Sequence, residues 1–227
     1  MKNGARAALT GKMSLSLLGG GFDYSACAQD EFDDWYDTEH IPERLRIQGF
    51  INGVRWIGAA NPKISLDIYD IESLDVLQKP EYLAVSPAHF SPWATRMLVQ
   101  KCKCLCRFNC NQLAPGDRIA PDAAQGLLVS AMNVVPAADA EFNAWYDQEH
   151  LPRLAALPGV LCARRFTSPG AGHKYVTTYH LTSPEVCASV AWREAAATPW
   201  AQKLLPHTSD RLRLVLKRYV RTTPLPA

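Results

Sequence analysis

His40 and His150 each follow a glutamate and a pair of aromatic residues, in the segments EFDDWYDTEHIP (31–42) and EFNAWYDQEHLP (141–152). An imidazole beside a carboxylate and aromatic rings can do acid–base work on a small apolar molecule, because its pKa lies near neutrality. On a helix turning roughly 100° per residue, Phe142, Trp145, Tyr146 and Glu149 fall on one side at i, i+3, i+4, i+7 spacing. His150 falls at the edge of that stripe and Asp147 points away from it. The first segment repeats the pattern with Phe32, Trp35, Tyr36, Glu39 and His40. A carboxylate inside an aromatic stripe does not persist as an unpaired anion. Glu39 and Glu149 either pair with Arg55 and Arg165, as buried charges normally do, or line a small-molecule cleft and orient the neighbouring histidine. The histidines either stand at the mouth of a cavity, or bond a backbone carbonyl where Pro42 and Pro152 interrupt the helix. Asp37 and Asp147 are expected to support the helix end or the surface.

The two segments belong to a longer repeat. Eight of their twelve positions agree at a constant offset of 110, which also matches Gly49 with Gly159, Arg55 with Arg165 and Tyr69 with Tyr179. Pro92-Trp93-Ala94 matches Pro199-Trp200-Ala201 after a three-residue shift. The chain reads as a duplication. Residues 1–12 read as a loose leader, 13–110 as the first repeat, 111–125 as a Pro- and Gly-bearing linker, 126–222 as the second repeat and 223–227 as a tail.

Each repeat gives the same order of elements. A strand opens it (13–18; 126–135), then a helix (about 30–40; about 138–150), two strands (51–58 and 64–71; 161–167 and 174–181), a second helical region (73–99; 183–205) and a last strand (101–110; 211–220). The order βαββαβ is ferredoxin-like. A lone four-stranded sheet with helices on one face leaves the other face bare, and two such sheets packed together bury that surface. WYDTEHIP and WYDQEHLP resemble the signature helix of EthD-like members of the dimeric α+β barrel superfamily, over nearly the whole chain outside leader and linker. The resemblance implies an α+β fold in which two ferredoxin-like repeats form an intrachain barrel, with a ligand cleft in either half. That superfamily's fold hosts muconolactone isomerases, polyketide cyclases, small monooxygenases and some haem proteins, so fold alone does not choose among them.

Several constellations carry less. Cys102, Cys104 and Cys106 alternate along the last strand of the first repeat, but the second repeat is read as placing Leu212, Leu214 and Leu216 there, so packing is expected. Cys106 and Cys110 fall at a zinc-like spacing without a second ligand pair, and no metal is expected. Lys101, Lys103 and Arg107, with Arg211, Arg213 and Lys217, read as a solvated or edge face. Four of the six histidines (His150, His173, His180, His207) lie in the second repeat, which points to a site there. Gly19-Gly20-Gly21 precedes no lysine and lacks a dinucleotide fingerprint.

A net charge of +2 and 48% hydrophobic residues describe a globular chain without the basic face of a nucleic-acid binder. No apolar run approaches a membrane span. Seven cysteines without a C-x-x-C pair fit a reducing compartment, and the cytoplasm is the default. The leading reading is a cofactor-independent lyase, isomerase or cyclase acting on an apolar, oxygenated, aromatic or polyketide-like compound. His150 and His40 would be acid/base, Glu149 and Glu39 would orient them, and Tyr179 would donate to an oxyanion. Trp145, Trp35, Tyr146, Tyr36, Tyr69, Trp200, Trp93, Arg165 and Arg55 would wall or hold the ligand. A non-catalytic ligand-binding or accessory protein is the alternative, and a monooxygenase or haem-binding barrel the third. Further association of two chains is left open.

Overall fold

Strand β1 (Ser16–Asp23) runs straight through Gly19, Gly20 and Gly21, beyond the end at residue 18 that the sequence predicts. In this computed structural model, which describes residues 14–222 and Pro224, the expected leader and most of the expected tail lie outside the described residues. The glycines continue the strand because β1 packs closely against its neighbours. A Cβ at Gly21 would lie 2.5 Å from the Cys106 Sγ, and one at Gly19 3.1 Å from the Phe108 ring.

After β1 come α1 (Gln29–Trp35), a π-helical turn (Tyr36–His40), α2 (Ile41–Leu45), β2 (Val54–Gly58) and β3 (Ile64–Ile71). The second helical region is not one helix. Pro80, Pro87 and Pro92 each open a new short piece, including α3 (Pro80–Leu83) and α4 (Pro92–Ala94), because proline suits a first helical turn and no interior. A second π-helical stretch (Thr95–Lys101) leads into β4 (Lys103–Ala114). The same order returns as β5 (Gly126–Val134), α5 (Asp139–Trp145), a π-helical turn (Tyr146–His150), α6 (Leu151–Ala155), β6 (Val160–Thr167), β7 (Tyr175–Leu181), α7 (Val190–Ala196), α8 (Pro199–Leu204) and β8 (Thr208–Arg218).

Each half forms a four-stranded antiparallel sheet, β4-β1-β3-β2 and β8-β5-β7-β6, the ferredoxin-like order. The two join through β2–β8 and β4–β6 into one closed eight-stranded barrel. The bare sheet faces do meet, around a core drawn from both halves: Leu17, Trp56, Ile68 and Phe108 with Leu127, Val129, Phe166 and Leu216. Fully burying one such side chain contributes roughly 1.5–3 kcal/mol. Closure confines the edge reading of the charged residues to the stretches of β4 and β8 outside the seams. β6 pairs β4 only at Asn111, Gln112 and Ala114, and β2 pairs β8 only at Leu216, Lys217 and Arg218, so Lys103 and Arg107 mark an outer face on a stretch of β4 whose only paired strand is β1.

The register also corrects the cysteine comparison. Gly19 and Gly21 pair with Phe108 and Cys106, and their counterparts Val129 and Ala131 pair with Leu214 and Leu212. The true counterparts of Leu212, Leu214 and Leu216 are therefore Cys106, Phe108 and Cys110. Core packing holds for Cys106 and Cys110. A bulge beside Phe22 turns Cys104 to the helix side, where it is exposed, and Cys102 lies 3.7 Å from Cys27.

The segment after β4 closes one end of the barrel. The Ala120 N–H donates to Asp70 Oδ2 (2.7 Å), while the Arg118 and Ala124 carbonyls accept from Arg164 and Arg218. Beneath it, Arg164 of β6 and Asp70 of β3 make a fully buried ion pair at 2.5 Å between the halves. Thr178 and His180 share that interior face of β7, and burial holds the His180 imidazole neutral, its pKa well below the ordinary value.

Candidate functional site

The two motif helices break α-helical geometry where the chemistry lies. The Ile41 N–H donates to the Tyr36 carbonyl and the Leu151 N–H to the Tyr146 carbonyl, five residues back. Residues five apart diverge around an α-helix but approach one another on a wider π turn. His40 therefore lies against both Trp35 and Tyr36, at ring-centroid distances of 4.5 and 4.8 Å, and His150 against Trp145 and Tyr146 at 4.3 and 4.8 Å. The expected place at the stripe's edge is thus overturned: the imidazoles complete the stripe. The prolines do not end the helix either. Pro42 and Pro152 sit in the first turn of α2 and α6, where a missing N–H costs no bond.

The expected glutamate–arginine pairs do not form. Glu39 Oε1 accepts from Trp35 Nε1 (3.0 Å) and Ser91 Oγ (2.5 Å). Glu149 Oε1 accepts from Trp145 Nε1 (3.1 Å) and from Thr198 Oγ1. Ser91 and Thr198 also cap α4 and α8, so each glutamate fastens its motif helix to the second helical region. Arg55 pairs with Asp33 (2.7 Å) and Arg165 with Asp147 (3.1 Å) and Asn143 (2.6 Å). Their guanidinium groups lie 4.6 and 4.5 Å from the Tyr36 and Tyr146 rings, as pillars under the helices. Asp37 accepts from Tyr219 and Arg221, which tie the stretch after β8 to the π-helical turn.

The halves then diverge. In the first, a cavity of about 340 Å³ opens between the outer sheet face and the helices. Leu18, Phe22, Phe90 and Leu98 line its apolar part, and His40, Arg44, Asp67 and Arg107 its polar end. Gly20 forms the floor; a Cβ there would sit 3.0 Å from the Phe22 ring and 3.2 Å from Asp67 Oδ1. His40 Nε2 lies 3.7 Å from Asp67 Oδ2, and the Tyr36 hydroxyl donates to Asp67 Oδ1 at 2.7 Å. His40 is only 4% exposed, and burial, with Arg44 nearby, brings its pKa down to about 4. Burial alone would push the Asp67 carboxyl up, but the facing imidazole and the Tyr36 hydroxyl outweigh it and hold it below the ordinary value. At neutral pH the pair is an anion beside a neutral imidazole.

The second half keeps the aromatic rings and the histidine without this cluster. Its counterparts of Asp67, Arg44 and Gly20 are Thr177, Leu154 and Ser130, and burial, with Arg165, lowers His150 to about 4 as well. The 340 Å³ cavity reaches His40, in the first half, whereas the histidine number points to the second. Neither histidine keeps the near-neutral pKa expected at a rim. Tyr179 is buried against Trp192 and its phenol is pushed well up by burial, and Trp200 donates to Glu141. Tyr69 is buried on the sheet beside Leu18, and Trp93 packs with the α1 aromatics. Asp67, Arg44 and Gly20 are not shared by the repeats and so did not stand out as site residues, while Arg107, which is shared, read as part of a solvated face. The signal for the first three was in the positions where the repeats differ.

No family model matches the chain, and no curated protein matches it. Solved structures match over nearly its full length. A mutant chlorite dismutase from Candidatus Nitrospira defluvii superposes with a TM-score of 0.60 at 11% identity, covering 91% of each chain. An anthrone oxidase-like protein gives 0.58 at 10% identity, covering 92% of each. A heme-binding protein from Thermus thermophilus gives 0.53 at 12%, covering 90% of this chain and 91% of its own. The likeness establishes the dimeric α+β barrel fold. Haem is the cofactor these neighbours suggest, and it needs an axial ligand facing a slot as wide as the macrocycle. Here His40 Nε2 faces Asp67, both motif imidazoles are wedged at 37° to 67° against tryptophan and tyrosine rings, and the cavity is near the lower end of small-molecule pockets. These residues do not fit a haem. Among the described residues no group of His, Cys, Asp and Glu could hold a metal ion.

Proposed function

We propose that this dimeric α+β barrel is a proton-transfer enzyme of the lyase, isomerase or cyclase type, acting in its first half on an apolar, oxygenated small molecule. The observation that carries the reading is His40 and Asp67 facing each other at the polar end of an otherwise apolar cavity. Neutral His40 accepts a proton from an activated C–H or O–H of the ligand, and the imidazolium so formed is stabilised by the Asp67 carboxylate. Tyr36 positions that carboxylate through its hydrogen bond, and Trp35 holds the ring in place. The buried Arg44 charge favours the anion left on the ligand. The likeness of the motif helix to EthD-like proteins, and of the fold to an anthrone oxidase-like protein, supports a small oxygenated ligand.

The test is deuterium wash-in from D2O into a panel of enolisable apolar ketones and lactones. His40→Asn should slow exchange by roughly 10²–10⁴-fold, and His150→Asn should leave it within about twofold. Equal exchange in His40→Asn and wild type would refute the assignment. The accessory reading has its own support: His150 keeps the same aromatic setting with Thr177 in place of a carboxylate, so the motif also serves packing alone. Tight ligand binding with no exchange in any compound would favour it.

A further inference from the structure

We infer that the ligand of this cavity carries a carboxylate, held by Arg107. The inference rests on reading the cavity as a ligand site, and is independent of whether proton transfer occurs there.

The charges around the cavity do not balance. Arg44 spends its guanidinium on the His40 carbonyl (3.0 Å), the Val85 carbonyl (3.3 Å) and the Glu43 carboxylate (3.5 Å). Asp67 is committed to Tyr36 and His40. Arg107 has only neutral partners: Nη2 donates to the Tyr82 hydroxyl at 2.5 Å and Nε to Asn109 Oδ1 at 3.3 Å. Among the described residues no carboxylate comes within ion-pair reach of it. A permanent cation, exposed to solvent and without a carboxylate partner, thus stands at the open end of an apolar chamber.

Its position is also particular. Arg107 lines both this cavity and a neighbouring, more polar cleft of about 470 Å³ that includes Tyr82, Asn109 and Ser168. An apolar ring system filling the chamber would bring its ionised end to the junction, where the planar guanidinium fork matches a carboxylate in shape and charge. The second half supplies a control. Arg213 pairs with Ser130 on β5 as Arg107 pairs with Gly20 on β1, and there the guanidinium turns to the Cys187 carbonyl at 3.4 Å. The arginine is common to both halves, but Arg107 borders the chamber floored by Gly20 beside a motif histidine, whereas Arg213 borders a different pocket, against Gly58, Asn61 and Ile64.

The experiment compares 2-naphthoate with 2-naphthamide, which share a ring body and differ in charge, by calorimetric titration at low salt. Wild type should bind the carboxylate at least roughly tenfold tighter than the amide, and the preference should shrink as salt rises. Arg107→Met should bring the two to parity with an unchanged melting temperature, and Arg107→Lys should restore part of the preference. His40→Asn should keep the carboxylate preference whatever it does to turnover. Equal affinity of both probes in wild type, or an undiminished preference in Arg107→Met, overturns the inference while leaving the proton-transfer reading intact. Binding of neither probe overturns the inference together with the ligand site on which it rests.

Discussion

At the scale of single residues, the balance between His40 and Asp67 has a measurable signature. A histidine that titrates at 6.5 when unfolded and at about 4 in the folded chain leaves the folded state short of protons between those values. Stability is therefore complete above pH 6.5 and falls as the pH drops towards 4, by roughly 3 kcal/mol for each such histidine. Urea denaturation at pH 7 and pH 4.5 should show this fall, and His150→Phe should reduce it; an equal fall in that variant would contradict the shift assigned to His150. Activity should follow the same chemistry. If His40 is the base, kcat/KM should lose its acid limb only near pH 4, and Asp67→Asn should move that limb lower still, since the carboxylate is what raises the imidazole. A limb near 6.5 would mean that His40 is more exposed than found. The histidines and aromatics were legible in the sequence because the repeat displayed them twice. Asp67 was not, because its counterpart is threonine and a lone aspartate within a strand carries no pattern.

At the scale of elements, the π-helical turn decides where His40 points. A wheel of 100° per residue cannot reveal it, since nothing in WYDTEHIP announces an i→i+5 bond except the proline two residues after the histidine. That is why the stripe was legible and the histidine's place in it was not. Inserting an alanine after exposed Thr38 should put His40 six residues from Trp35 and swing it away from Trp35 and Asp67. We expect near-native circular dichroism, a modest loss of stability on the order of 1–2 kcal/mol, and loss of 2-naphthoate binding. Retained binding would show that the wide turn is incidental. Gly20 is the counterpart on the sheet side. Gly20→Val should fill the chamber floor beside Phe22 and Asp67, and weaken 2-naphthoate at least roughly tenfold while costing roughly 1–3 kcal/mol of stability; unchanged affinity would place the ligand elsewhere.

At the scale of the whole molecule, the barrel depends on short seams between halves. β2 meets β8 at Trp56–Arg218, Ile57–Lys217 and Gly58–Leu216, whereas β1 meets β3 along the full length of both strands. The Asp70–Arg164 pair crosses between the halves in the interior, and Asp70→Asn leaves a buried cation without its counter-charge. That substitution should cost roughly 3–5 kcal/mol, in a single urea transition followed alike by tryptophan fluorescence and circular dichroism. Two separate transitions in the intact chain would contradict one shared core. The barrel was foreseeable from the doubled βαββαβ pattern, because a bare sheet face must be covered. Closure through paired edges was not, since the charges on β4 read equally well as a guarded edge. Nor did the duplication say which copy holds the site. A crystal structure of the protein soaked with 2-naphthoate tests that most directly. The ring system should lie between Phe22 and Leu98, with its edge at His40 and Asp67 and nothing beside His150; density beside His150, or none at His40 under saturating ligand, would contradict a site in the first half.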